Sequence, residues 1–281
     1  MPQRRSAVAG SFYPADPETL RREIHSMLES ATSDYPGDIV GLLAPHAGYV
    51  YSGPVAAEAY RHLQNKSYDA VVLIGPSHRI YLKYAAVFPE GSWQTPLGSV
   101  RIDADLASEI CSAGQECARA DATVHMLQGH SGEHSLEVQI PFLQMALGDV
   151  PVVPILMGNQ SPKSSSTLAS AIAHAAGDRR ILLVASSDLS HFHTEREARM
   201  LDSRIQEAVA IFDAAILWST IQKEGAEACG AGPLATVMEA SRLLGATRAV
   251  QLSYATSADV PHGSRDSVVG YLAAAFVKGE A

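Results

Sequence analysis

Apolar residues fall in short, nearly continuous blocks rather than in strict alternation. The blocks occupy residues 39–44, 70–75, 85–88, 152–157, 181–186, 249–254 and 268–277, and are rich in Val, Ile, Leu and Ala. Runs of this length with many β-branched side chains predict strands buried on both faces of a sheet. Between them the spacing turns helical. Residues 54–63 begin with Pro54, which suits a first helical turn. Leu136, Ile140, Leu143 and Leu147 share one face of a helix over 136–147. Residues 166–175 are Ala-rich, 195–212 form a long amphipathic pattern, and 233–244 form another. The Ser-rich run 161–167 reads as a loop leading into a helix. Strands alternating with helices predict an α/β fold, α/β/α around a central, mostly parallel mixed sheet. With no internal repeat and no long low-complexity linker, residues 1–281 are expected to form one domain.

Three predicted strands run into turns that carry a histidine. The first leads into Ala44-Pro45-His46-Ala47-Gly48-Tyr49, the second into Gly75-Pro76-Ser77-His78, and a later one into Ser187-Asp188-Leu189-Ser190-His191. Open α/β sheets bind ligands beyond the carboxyl ends of their strands. If these strands are neighbours, His46, His78 and His191 converge on one sheet edge, the arrangement a metal or an acid–base centre needs. Asp188 precedes His191 by three residues, so in a helical turn it would orient the imidazole or raise its pKa.

A fourth polar cluster, His130-Ser131-Gly132-Glu133-His134-Ser135-Leu136-Glu137, lies before a predicted helix. His134 and Glu137 share a face there if both are helical, which makes them candidates for a substrate pocket. Glu133 or Ser135 is a candidate helix cap. His62, His125, His174 and His262 sit in helical or surface-like contexts and read as structural or exposed, whereas His193 fits either role.

Composition narrows the function classes. The chain has 281 residues, 21 Lys and Arg against 30 Asp and Glu, and a net charge of −9. That acidic balance argues against nucleic acid as the main partner, because phosphate backbones are bound by clustered cations. No apolar run reaches the roughly 18 residues of a membrane span, and no apolar core of a secretory signal is readable at the start. Three Cys cannot build a disulfide framework, so a reducing cytoplasm is the expected compartment. Cys111 and Cys117 fall in or just after a helical pattern. Cys229 lies in Ala228-Cys229-Gly230-Ala231-Gly232-Pro233, a Gly-rich turn before a helix. A helix N-terminus lowers a thiol pKa and favours a ligand or a nucleophile. An inert, packed Cys is the alternative at this position. Gly75-Pro76-Ser77-His78 lacks the Lys of a phosphate loop, and no G-x-S-x-G elbow is present.

These motifs, in this order, resemble those of the Memo family, whose prokaryotic members are called AmmeMemoRadiSam system protein B. The opening Arg5-Ser6-Ala7-Val8-Ala9-Gly10-Ser11-Phe12-Tyr13-Pro14 is similar to that family's N-terminal signature. The resemblance implies a fold like that of class III extradiol ring-cleaving dioxygenases, which use non-haem Fe(II). It also implies that His46, His78 and Cys229 match metal-binding positions. Asp188 and His191 match further pocket residues, with His191 like the acid–base His of the dioxygenases. Those enzymes hold iron with two His and one carboxylate. A thiolate in the third place is softer, which brings in copper or zinc beside iron. The implied function is a metal-dependent redox enzyme acting on a small molecule. The alternatives are a non-catalytic protein that binds a metal or a peptide in the same pocket, as eukaryotic relatives bind phosphotyrosine peptides, and a hydrolase using metal-bound water.

Overall fold

The computed structural model describes residues 1–130 and 132–279, so Ser131 of the fourth cluster lies outside the described residues. In chain order the elements are β1 (Gln3–Arg4), α1 (Pro17–Ser30), β2 (Asp38–Ala44), α2 (Tyr49–Tyr60), β3 (Ala70–Pro76), β4 (Ala85–Val87), β5 (Ser92–Thr95), β6 (Gly98–Arg101), α3 (Ala104–Ala113), β7 (Ala118–Ala120) and α4 (Ala122–His130). They continue with α5 (Ile140–Leu147), β8 (Val152–Met157), α6 (Pro162–Ala176), β9 (Ile181–Ser186), β10 (His191–His193), α7 (Glu195–Ile211), α8 (Ala214–Glu224), α9 (Ala231–Leu243), β11 (Arg248–Thr256) and β12 (Val268–Lys278).

All seven apolar blocks form strands of the large sheet, whose order is β10-β12-β2-β9-β3-β8-β4-β7 with β11 also on β12. Its centre, β2-β9-β3-β8, is parallel, while β12 joins β2 and β4 joins β8 antiparallel. The continuous hydrophobicity of the central strands follows from cover on both faces. Leu42, Leu73 and Val184 pack on one side with Leu20 and Ile24 of α1, Ala57 of α2 and Phe142 of α5. Leu43, Ile74 and Ala185 pack on the other with Ile110 of α3, Ile172 of α6, Ile205 of α7, Leu217 of α8 and Val237 of α9. The result is an α/β/α arrangement. A separate small sheet, β1-β5-β6, holds the start of the chain. Among the described residues no helix is long and apolar enough to cross a membrane.

Several boundaries differ from the pattern. The helix expected from Pro54 starts at Tyr49, with Pro54 inside it. The missing N–H would have bonded the carbonyl of Val50, a residue of the first turn that is itself exposed, so the cost of the proline is small there. Residues 161–167 are not a loop. Ser161 caps α6 by accepting a hydrogen bond from the Ser164 N–H, and Pro162 occupies the first turn. Over 136–147 a 3₁₀ turn, Glu137–Gln139, precedes α5, because Pro141 has no N–H to give to residue 137.

Candidate metal centre and its cavity

The central strands β2, β9 and β3 are contiguous and parallel, with Ala44 beside Ser186 and Ile74 beside Ala185. Their carboxyl ends therefore deliver His46, Asp188 and His78 to one edge. Cys229 arrives from the far side of the sheet in the turn before α9. Its N–H donates to the Asp188 carbonyl, its carbonyl accepts from Gln160 Nε2, and the Gly230 N–H donates to Ser187 Oγ. Gly230 is required for this approach, since a Cβ there would lie 2.5 Å from the Ser186 carbonyl oxygen.

Donor atoms of His46, His78 and Cys229 lie within 4.8 Å of one another, and His46 Nε2 is 3.3 Å from Cys229 Sγ. A third imidazole, His134, completes the cluster. Its ring stacks on His78 at 5.1 Å with only 8° between planes, and stands edge-on to His46 at 5.6 Å.

Hydrogen bonding fixes which nitrogen each ring presents. Ser186 Oγ donates its single proton to the Ser135 carbonyl and accepts from Gln139 Nε2, so His46 Nδ1, 2.9 Å away, donates to it. His78 Nδ1 lies 3.1 Å from Glu133 Oε1. Contacts with His78 and backbone N–H groups outweigh burial and hold the Glu133 carboxyl at about 2, so it is ionised and only accepts. His134 Nδ1 faces the Gly132 carbonyl, and His191 Nδ1 the Leu189 carbonyl at 2.8 Å. In all four rings Nδ1 therefore carries a proton given to a neighbouring oxygen, and Nε2 is the nitrogen left for another partner, which for His46 is the Cys229 sulfur. For His46 and His78 that is the state a metal-binding imidazole needs. Burial first, and then the neighbouring imidazoles, push His46 well below its ordinary pKa, so the ring is neutral without any ion.

Two nitrogens and a sulfur converging from three elements are a donor set that would hold a borderline or soft ion. A second group, His78, Glu133 and His134, is equally close. Its carboxylate is already used: Glu133 accepts from the His78, His134 and Ser135 N–H groups as well as from the His78 ring. The donor chemistry therefore favours the Cys-containing set.

Beside the cluster lies a cavity of about 660 Å³ whose wall includes His134, Asp188 and His191. Asp188 accepts a 2.7 Å hydrogen bond from the His46 N–H and another from Ala47, yet burial dominates and raises its pKa to about 7. A further cavity of about 610 Å³, lined by Trp218 and Arg242, shares none of these residues.

Three expectations need correction. Asp188 does not orient His191: the segment between them forms no helical turn, His191 Nδ1 faces the Leu189 carbonyl instead, and burial lowers the His191 pKa rather than raising it. Cys229 is not acidified by its helix. Burial, followed by the charge of Asp188, pushes its pKa up, and the Asp188 N–H at 3.3 Å only partly offsets this. Glu137 does not face the cavity. It is fully buried and binds Arg4 Nη1 at 2.7 Å, the Tyr13 hydroxyl, and the N–H groups of Ala7 and Val8. It pins the N-terminal segment to the site rather than a ligand.

That segment supplies wall residues that single-residue chemistry did not reveal. Phe12 lies 4.4 Å from the His134 ring and lines the cavity, as do Tyr51, Tyr271 and His262. His262, read as structural or exposed, is exposed and lies in the β11–β12 loop at φ 65°. Nothing local in the sequence marks it. Phe12 falls inside the opening signature motif, and Glu133 sits next to His134, so both carried a signal.

A family model described as Memo-like protein matches residues 4–275. A MEMO1 family protein of Methanopyrus kandleri is 36% identical, the match covering 99% of this chain and 100% of that protein. One of Methanothermobacter thermautotrophicus is 38% identical, covering 95% and 98%. A crystal structure of an uncharacterized protein from Escherichia coli K12 shares the fold at a TM-score of 0.54 with 14% identity, covering 83% of this chain and 99% of that one.

Proposed function

The chain belongs to the Memo family, and on that premise we propose that it is a metal-dependent redox protein whose ion is held by His46 Nε2, His78 Nε2 and Cys229 Sγ. The observation that carries this reading is the shared Nδ1 anchor. Each ligand imidazole is bonded through Nδ1, to Ser186 or to Glu133, which leaves its other nitrogen for an ion, and donor atoms of the two rings and the thiol lie within 4.8 Å of one another. Iron or copper is the preferred ion and zinc the third choice, because thiolate and imidazole together suit all three. A bound iron or copper would supply one-electron chemistry and Lewis acidity beside the cavity.

The protein's own groups would do the rest. His191 is neutral, carries its proton on Nδ1 and lines the cavity. Its Nε2 lone pair is therefore the base that takes a proton from a hydroxyl of a small aromatic or enediol-like ligand. His134 offers a second neutral imidazole, with Phe12 against its ring to exclude water from one side. Asp188 holds the His46–Ala47 backbone and so sets where the first ligand stands.

The test is elemental analysis of tag-free protein purified without chelator, followed, after anaerobic iron loading, by oxygen uptake with catechols in aerated buffer. Wild type is expected to hold about one ion per chain, and the His46→Ala, His78→Ala double variant none. His191→Ala is expected to keep the ion and lose about 10²- to 10⁴-fold in turnover. Equal metal content in wild type and double variant would remove the ligand assignment. Stoichiometric metal with no oxygen uptake favours the non-catalytic binding protein instead.

A further inference from the structure

Glu133 is the carboxylate shared by the His78 turn and the His134 segment. It is 1% exposed, and both oxygens are committed to holding other groups. Oε2 accepts the His78 N–H at 2.6 Å, while Oε1 accepts His78 Nδ1 at 3.1 Å and the N–H groups of His134 and Ser135 at 3.0 and 3.1 Å. One side chain therefore ties the turn after β3, where His78 sits, to the segment that carries His134. The carboxylate is itself placed from behind. Arg4 Nη2 donates to the Glu133 carbonyl at 2.8 Å, and the same guanidinium is locked to Glu137.

We propose that Glu133 is a positioning residue for the metal: it holds the His78 ring as the Nδ1–H tautomer and aims Nε2 at the point shared with His46 and Cys229. The physical need is specific to His78. His46 is buried, and its Nδ1 is held by Ser186 Oγ, which is itself tied to Gln139 Nε2 and the Ser135 carbonyl, so that ring is fixed without a carboxylate. The His78 side chain is 28% exposed and sits on a turn, and its stacking on His134 sets the ring plane but does not choose which nitrogen carries the proton. An imidazole–carboxylate pair supplies the missing constraint and makes the ring a better donor. The geometry also explains why the backbone N–H of His78 is bound by the same carboxylate. Fixing main chain and ring together leaves no hinge between them.

The proposal rests on the metal assignment above, and its tests separate the two. Imidazole ¹⁵N NMR of the metal-free full chain, recorded above the titration range of free histidine, reports the His78 tautomer, with His78→Gln used to assign the signal. The expected result is the Nδ1–H form. A dominant Nε2–H form in wild type overturns the proposal without any variant. Zn²⁺ affinity, read by competition with a chelating dye, is expected to fall about 10- to 100-fold in Glu133→Gln with the melting temperature retained. Affinity within about threefold of wild type in that folded variant overturns it. Two Zn²⁺ per chain, with the second lost in Glu133→Gln, would make Glu133 a ligand and overturn it as well. If His78→Ala binds Zn²⁺ as tightly as wild type, the metal assignment itself fails, and the positioning role falls with it.

Discussion

Cys229 sits one residue before the cap of α9, where the helix dipole favours a thiolate, yet its pKa is pushed up. The magnitudes explain the outcome. A helix terminus contributes about 0.3–1 kcal/mol, whereas full burial moves an ionisable group by up to roughly 3–5 pKa units. Without a cation the thiol therefore stays protonated, and it donates to or accepts from its neighbours as a neutral group. Burial also raises Cys111 and Cys117, the latter to about 11. Alkylation of metal-free protein followed by mass spectrometry is expected to label Cys111 before Cys229: both are partly exposed, but the charge of Asp188 adds to burial in disfavouring the Cys229 thiolate, which is the reacting species. Labelling of Cys229 first would show that burial does not control this thiol.

At the scale of elements, the site depends on a short strap rather than on the sheet alone. Residues 3–13 leave β1, cross the Glu133–Glu137 segment, and place Phe12 against His134, with the Phe12 carbonyl accepting from the Tyr49 N–H at the start of α2. The strap is held by the Arg4–Glu137 ion pair, 2% and 0% exposed, with the Arg4 guanidinium 3.8 Å over the Trp93 ring. Burial opposes the charge on Arg4, and Glu137 offsets part of that opposition. Removing one partner leaves the other buried and uncompensated, at a cost of about 3–5 kcal/mol. Glu137→Ala is expected to lose that much in urea unfolding. A loss below about 1 kcal/mol would mean that the pair is replaced by solvent and the strap is not held by it. An Arg4→Met, Glu137→Leu pair is expected to recover part of the loss, since neither charge then remains buried.

At the scale of the whole molecule, stability is expected to fall with pH through a histidine outside the metal set. His125 on α4 is buried between Phe88 and Trp93, its Nε2 bonded to the Ala86 carbonyl, and burial lowers its pKa to about 4. The unfolded chain takes up this proton near pH 6.5, before the folded one does. The stabilisation is therefore complete above about 6.5 and declines as pH falls toward 4, by on the order of 3 kcal/mol. Urea unfolding of wild type and His125→Gln across that window is expected to show the steeper decline in wild type, and parallel curves would remove His125 as the cause. The same molecule shows what one dimension can hold. The sequence by itself determined the α/β class, because burial on both faces forces continuous apolar strands. It also marked His46, His78 and His191, because strand-end turns with Pro and small residues are local features. It could not determine strand order, and so not that β2, β9 and β3 are neighbours, because 142 residues separate His46 from the Asp188 carboxylate it meets. Nor could it assign Glu137 to the strap, reverse the pKa of Cys229, or set the ring tautomers. Those depend on burial and on partners from distant segments, and only tertiary packing brings Arg4, Glu133, Ser186 and Cys229 within a hydrogen bond of the residues they control.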